Sequence, residues 1–357
     1  MTDFLPKVTV VIPTYNAESF IERTVRSAAS QTYPNLQILV IDDGSKDNSR
    51  RIVEDLCQEI PFLKIETVKN GGVARARNIG TELAEDGYVA YLDADDLWHP
   101  QKIEKQVEAL AQHAGDDSWG ACYVGFRLID TDDHPFADGA LYEESGDFFF
   151  DHLLINHAGN GSVLLVRRDV ALEVGGFDPS YAEKGIGGCE DRDFQLKILQ
   201  KYKIEVVPEF LVGYRVHPES MSTNKSAIAL GQFAVIENFL KDPRLNDRMR
   251  RRALGAAHRS AIIKFWRSRL YLQSVRSLVL HLWLDPYHGL VRSLTRLYFF
   301  GRRRVLYLFW LVSERHNRHL GTRDFLMLDP SRSLFSQAIY YSPPDAAGPN
   351  RSVTDDV

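Results

Sequence analysis

Short apolar runs alternate with helical periodicity through the first hundred residues. Residues 8–12, 36–41, 63–68 and 88–92 are apolar-rich and of strand length, as expected of strands covered on both faces. Between the first two, Ile21, Val25 and Ala28 or Ala29 recur at helical spacing, with Asn16 in N-cap position and Pro34 beyond the end. Ile52 and Leu56 mark a second amphipathic helix, and residues 73–85 a third. Pro13 is expected to stop the first strand. Strands joined by crossover helices predict a doubly wound parallel sheet, with ligands at the carboxyl ends of the strands.

The pattern is mixed from Gly120 to Pro218. It predicts strands at 120–126, 162–166 and 205–207, a loop-rich stretch at 131–148, and a helix over 191–201. This stretch is read as completing the first domain, residues 1–225, and supplying its acceptor side. Residues 226–335, rich in Arg, Leu, Tyr and Trp at long helical periods, read as a separate basic helical region. Residues 336–357 have a composition that buries little and are expected to be disordered.

Charge sharpens that division. The chain of 357 residues carries a net charge of -5, yet residues 244–323 hold 18 Lys or Arg against 3 Asp or Glu, so the rest is strongly acidic. Cys57, Cys122 and Cys189 show neither a disulfide framework nor a metal-ribbon spacing. Together with the absence of signal-peptide texture at the start, this predicts a cytoplasmic protein.

Polar motifs fall at the predicted strand ends. Asp42-Asp43-Gly44-Ser45 can bind a base or ribose, or can be a plain Asp-Gly turn with a helix cap. Asp93-Ala94-Asp95-Asp96 places three carboxylates in four residues after a buried strand. Such a cluster suits a divalent cation on a diphosphate, the alternative being a solvated acidic turn before a helix. Asn70-Gly-Gly precedes a helix carrying Arg75 and Arg77, where arginine can pair with phosphate or simply face solvent. Glu190 and Asp191 stand at a glycine-rich helix start, placed either as a general base or as caps. Arg215 and His217 could hold a leaving diphosphate and its metal, although a lone His is more often a polar surface residue.

As an ordered set over about residues 7–222, these motifs resemble glycosyltransferase family 2, whose members have the GT-A fold. The matching pieces are Val10-Val-Ile-Pro-Thr-Tyr-Asn16, Val40-Ile-Asp-Asp-Gly-Ser45, Asn70-Gly-Gly with Ala76-Arg-Asn78, Leu92-Asp-Ala-Asp-Asp96, Gly176-Phe-Asp178, Glu190-Asp191 and Arg215-x-His217. The resemblance implies an inverting transferase using a nucleotide-diphosphate sugar, UDP-sugar favoured, and Mn2+ or Mg2+. It implies that Pro13, Tyr15 and Asp43 surround the base, that Asp93 meets the ribose or sugar, and that Asp95 binds the metal. Asp191 would be the catalytic base beside Glu190, with Arg77 at the donor and His217 as a further metal or phosphate ligand. Cell-surface polysaccharide or glycolipid synthesis is the expected setting, with a saccharide or lipid-linked acceptor.

The basic helical region matches no motif of that family. Residues 270–283 and 304–312 mix apolar runs with Arg and aromatics, and Arg302-Arg-Arg304 interrupts the longest run, so no span of a bilayer is expected. Basic amphipathic helices can lie on an anionic membrane surface, or these helices can pack on the acidic domain or on another subunit. No motif supports nucleic-acid binding. A sugar-phosphate nucleotidylyltransferase would need a glycine-rich basic loop after the first strand, which Pro13-Thr-Tyr-Asn16 is not. A catalytically silent sugar-nucleotide-binding or scaffold protein is the remaining alternative, and it has no need of both Asp95 and Asp191.

Overall fold

The structure, a computed structural model, describes residues 5–286 and 324–334. Its first part is β1 (Val8–Thr14), α1 (Ile21–Ala29), β2 (Leu36–Asp42), α2 (Ser49–Glu59), β3 (Leu63–Thr67), α3 (Val73–Leu83) and β4 (Tyr88–Tyr91). β1 pairs in parallel with β2 and β4, and β2 with β3. All seven residues of β1 are buried, which is why its sequence does not alternate.

Two local expectations change. β1 continues through Pro13 to Thr14. The Val11 carbonyl accepts from Leu92 on the β4 side, and the missing N–H of Pro13 lies on that same side, past the end of β4 at Tyr91. No ladder bond is lost there. Asn16 caps nothing: it sits at φ 50° and its Oδ1 accepts from the Lys46 amide at 2.8 Å, while the Ser45 hydroxyl accepts from the Asn16 amide at 3.0 Å. The loops after β1 and β2 are thereby tied together, and α1 begins only at Ile21.

The second part comprises β5 (Leu97–Trp98), α4 (Lys102–Ala111), β6 (Trp119–Ile129), β7 (Pro135–Asp138), α5 (Phe149–Leu154), β8 (Leu164–Arg167), α6 (Arg168–Glu173), α7 (Ser180–Glu183), α8 (Glu190–Lys201) and β9 (Lys203–Arg215). The sheet runs β3-β2-β1-β4-β8-β6-β9-β5, with β7 beside β6. It is parallel from β3 to β4, but β8 runs antiparallel to β4 and β6, and β5 antiparallel to β9, so the whole sheet is mixed. β9 is much longer than the expected 205–207. Its pairing with β6 shifts register between Val124 and Gly125, across from Pro208, and a bulge there carries the strand past a residue that usually ends one.

Three helices follow: α9 (Lys225–Phe239), α10 (Asp247–Arg267) and α11 (Tyr271–Leu284). Asn224 and Asn246 cap the first two, accepting from the amides of Ala227 and Met249. The expected boundary at 225 falls where α9 starts, and Val235, Ile236, Phe239 and Ala253 belong to the same hydrophobic cluster as the sheet. Among the described residues no helix is long and apolar enough to cross a membrane. The run at 302–304, the apolar stretch 304–312 and the tail 336–357 lie outside the described residues.

Residues 324–334 return to the sheet as a strap. Phe325 is fully buried against Leu97 and Ile129, and its amide donates to the Asp133 carbonyl at 3.1 Å. The Phe210 amide reaches the Pro330 carbonyl at 2.8 Å, and the Arg127 guanidinium donates to the carbonyls of Asp329 and Arg332.

Candidate active site

The carboxyl ends of β1, β2 and β4 converge with the start of α8. Pro13 is buried and Tyr15 is exposed at the mouth of the β1 loop. Asp43 is turned inward, each carboxylate oxygen accepting one amide at 2.8 Å, from Gly71 and from Gly72. The pair of glycines is thus held by a carboxylate rather than left open for phosphate, and each oxygen keeps one lone pair for a further donor. Gly72 has φ 88°, a conformation that disfavours any side chain.

Arg77 is the hub. Its guanidinium, 3% exposed, lies 2.5 Å from Asp93 and 2.6 Å from Asp191, and it stacks over the Phe177 ring at 4.9 Å. Burial alone would favour loss of its proton, but Asp191 and Asp93 outweigh that and raise its pKa. Expected at the donor, Arg77 is here occupied by two carboxylates. It joins the motif after β4 to the motif opening α8, so Asp191 and Asp93 are held on one guanidinium.

Burial is also the main influence on Asp191, pushing its carboxyl up to about 6 against the opposing pull of Arg77, with Asp93 and Glu190 adding to the rise. A carboxylate so poised is a competent proton acceptor near neutral pH. The Gly161 backbone packs directly on it: an added Cβ would come within 2.9 Å of Asp191 Oδ1 and 2.8 Å of the Arg77 guanidinium. Glu190 is 2% exposed and accepts from the Gly188 amide at 2.7 Å, so it shapes the glycine-rich opening of α8.

At the other end of the turn, Asp95 Oδ2 and His217 Nε2 approach to 2.9 Å, with Asp95 31% and His217 12% exposed. Asp96 is fully buried, accepting from the Ser162 hydroxyl at 2.6 Å and the Arg215 amide at 2.9 Å. Its pKa is raised, chiefly by burial and then by Asp95 and Asp93. Ser162 in turn accepts from the Asp93 amide at 3.0 Å. Arg215 is fully buried and faces no solvent-side ligand. Its guanidinium donates to the carbonyls of Asp95 at 2.6 Å and Asp130 at 2.5 Å, pairs with Asp133 at 2.5 Å, and covers the Phe20 ring. Arg215 therefore positions the acidic turn, where the sequence suggested a phosphate contact.

Sequence reasoning missed Ser162 and Gly161, which close the turn-like run Gly159-Asn160-Gly161-Ser162 just before a strand and carry no catalytic pattern. Asn78 was quoted only as part of a motif, yet it closes a two-way link with Phe177, donating to its carbonyl at 2.8 Å and accepting from its amide at 2.9 Å. Gly176, at φ 61°, leaves room for that link, since a Cβ there would lie 2.4 Å from Asn78 Oδ1.

Asp95 and His217 offer a carboxylate and an imidazole side by side, a donor set that fits Mn2+ well and Mg2+ less well. Among the described residues, three ligand-type side chains also gather at Asp130, Asp132 and His134, on the turn between β6 and β7, all within 4.8 Å. Asp130 Oδ1 already accepts the amides of Asp132 and His134 there.

The mixed sheet, the acidic turn after β4 and the carboxylates opening α8 are those of a GT-A glycosyltransferase. The chain belongs to glycosyltransferase family 2: residues 9–166 match the family described as Glycosyl transferase family 2. It is similar to an uncharacterized glycosyltransferase of Rickettsia typhi, 30% identical over 278 residues that cover 76% of this chain and 83% of that one. It is also 29% identical to the UDP-Glc:alpha-D-GlcNAc-diphosphoundecaprenol beta-1,3-glucosyltransferase WfgD of Escherichia coli, over 68% of this chain and 89% of that one. Among solved structures, the mannosyltransferase PcManGT of Pyrobaculum calidifontis, determined with GDP-Man and Mn2+, shares the fold with a TM-score of 0.55 at 20% identity, covering 85% of this chain and 84% of that one.

Proposed function

We propose that the protein transfers a sugar from a nucleotide-diphosphate donor, UDP-sugar favoured, to a hydroxyl of a saccharide or lipid-linked acceptor, with inversion at the anomeric carbon. The observation that carries this is Asp191: a carboxylate with a raised pKa, held by Arg77 together with Asp93, whose turn also carries the Asp95–His217 pair. Pro13, Tyr15 and Asp43 line the end where the base would lie, and Asp93 stands between that end and Asp191, beside the ribose or sugar. Asp95 and His217 would hold Mn2+ or Mg2+, which when bound neutralises charge on the departing diphosphate.

Asp191 accepts the proton of the attacking hydroxyl. Arg77 keeps that carboxylate oriented and keeps Asp93 from repelling it, while Ser162, Asp96 and Arg215 fix the backbone of the acidic turn. One base and one displacement invert the centre without a covalent sugar–enzyme intermediate. A lipid-linked acceptor finds support in the WfgD similarity and in α11, whose exposed Leu272, Val279 and Trp283 offer an apolar face beside basic residues for a cytoplasmic membrane surface.

The test is a thermal-shift screen of nucleotide sugars with and without Mn2+, followed by NMR of the product's anomeric configuration. Mn2+-dependent stabilisation by a UDP-sugar and an inverted product are expected. Stabilisation without turnover on any acceptor would favour the silent sugar-nucleotide-binding alternative, and a retained configuration would remove the single-displacement mechanism.

A further inference from the structure

A cavity of about 300 Å3 opens between β6, β9 and the loop before β8, lined by Phe126, Tyr142, Tyr214, Asn156, His157 and Asn160. Resting on the transferase reading above, we propose that this cavity binds a pyranose ring of the acceptor and so selects the acceptor sugar.

Its position follows from the sheet. β4, bearing the acidic turn, lies between β1 and β2, whose ends face the donor, and β8, β6 and β9 on the far side. Phe126 belongs to β6 and Tyr214 to β9, so the cavity lies on the half of the sheet away from the nucleotide loops. Asn160 precedes Gly161, whose backbone packs on Asp191. The cavity wall is therefore one residue along the chain from the backbone that packs on Asp191, the group that would take the acceptor proton.

The lining suits a sugar. Three aromatic side chains provide flat faces for the C–H side of a ring, and asparagine supplies polar partners for hydroxyls. No Lys or Arg lines it, so it does not suit a diphosphate. Asn160 Oδ1 is buried with no hydrogen-bond partner, a cost that a donating hydroxyl or acetamido N–H would remove. The shape is set in advance. Asn156 grips Gly159 twice, donating to its carbonyl at 2.7 Å and accepting from its amide at 3.1 Å. Gly159 has φ 72°, and a Cβ there would stand 2.9 Å from the Phe126 ring.

The experiment uses the full chain with UDP and Mn2+, and a panel of methyl hexosides and methyl N-acetylhexosaminides. Saturation-transfer NMR reads saccharide contact, and calorimetry reads UDP affinity in the same samples. At least one glycoside should show saturation transfer with the unaltered protein. Its affinity should fall about tenfold in Tyr142→Ala and in Asn160→Ala, as expected for one lost ring contact or hydrogen bond. UDP affinity should stay within twofold, and Tyr142→Phe, which keeps the ring, should bind the glycoside normally. Saturation transfer to none of the glycosides, or transfer indifferent to both alanine variants, overturns the cavity's assignment while UDP binding stands. Unaltered protein that binds no UDP but still shows saturation transfer from a glycoside removes UDP as the donor nucleotide and leaves the cavity's assignment standing, whereas binding of neither overturns both. Variants that lose UDP and glycoside together also count against a separate acceptor cavity.

Discussion

The strand ends around Asp93–Asp96 and the outer face of α11 treat their side chains in opposite ways. At the strand ends, charged groups are folded inward and joined: Arg77 to two carboxylates, Arg215 to three acidic residues' oxygens, Asp96 to a hydroxyl and an amide. On α11, apolar groups are turned outward, with Leu272 81% exposed and Trp283 67% exposed, while Ser274, Ser277 and His281 are buried against the body. Burying charge is costly and is kept where electrostatics must be fixed in place. Exposing a row of large apolar side chains is costly in another way and is characteristic of surfaces that meet something. Chemistry should therefore fail when the first region is altered, and location when the second is.

The largest separation of the two should come from Asp191→Asn. Transfer should drop by about 10^2- to 10^4-fold, the usual worth of a general base, with UDP affinity retained; a near-normal rate would show that another base operates. Asp95→Ala should weaken Mn2+-dependent UDP binding by about ten- to a hundredfold, and calorimetry showing unchanged affinity would remove the metal from Asp95. A milder probe is pH. Because the carboxyl of Asp191 is raised to about 6 and acts only when ionised, kcat/KM should fall about tenfold between pH 7 and pH 5 as it takes up a proton. A flat profile would place the base elsewhere. The smallest effect is expected from replacing Leu272, Val279 and Trp283 together by serine. Sedimentation with liposomes containing anionic lipid should fall severalfold while transfer to a soluble acceptor is unchanged; undiminished sedimentation would defeat the membrane reading.

Much of the first region was legible beforehand. The strands β1, β2 and β4 are buried on both faces and so announce themselves as apolar runs, and the acidic residues at their ends stand out because nothing else follows such runs so abruptly. What escaped was set by partners distant in sequence. Arg77 reads as a donor contact or a solvent-facing helix residue until α8 brings Asp191 to it, 114 positions away. Arg215 reads as a phosphate ligand until the β6–β7 turn closes over it. β9 hides behind Pro208, and the antiparallel turn of β8 depends on chain reversals that hydrophobic period does not encode. The amphipathic reading of 270–283 told which residues were apolar, not which face α10 would cover.

The strap at 324–334 has a practical corollary for anyone who shortens this chain. Phe325 anchors the Asp133 carbonyl, Asp133 pairs with Arg215, and Arg215 grips the carbonyl of Asp95. Trimming the protein at residue 225 to test the membrane reading would cut this tether too, and an inactive fragment would then be mistaken for evidence about membranes.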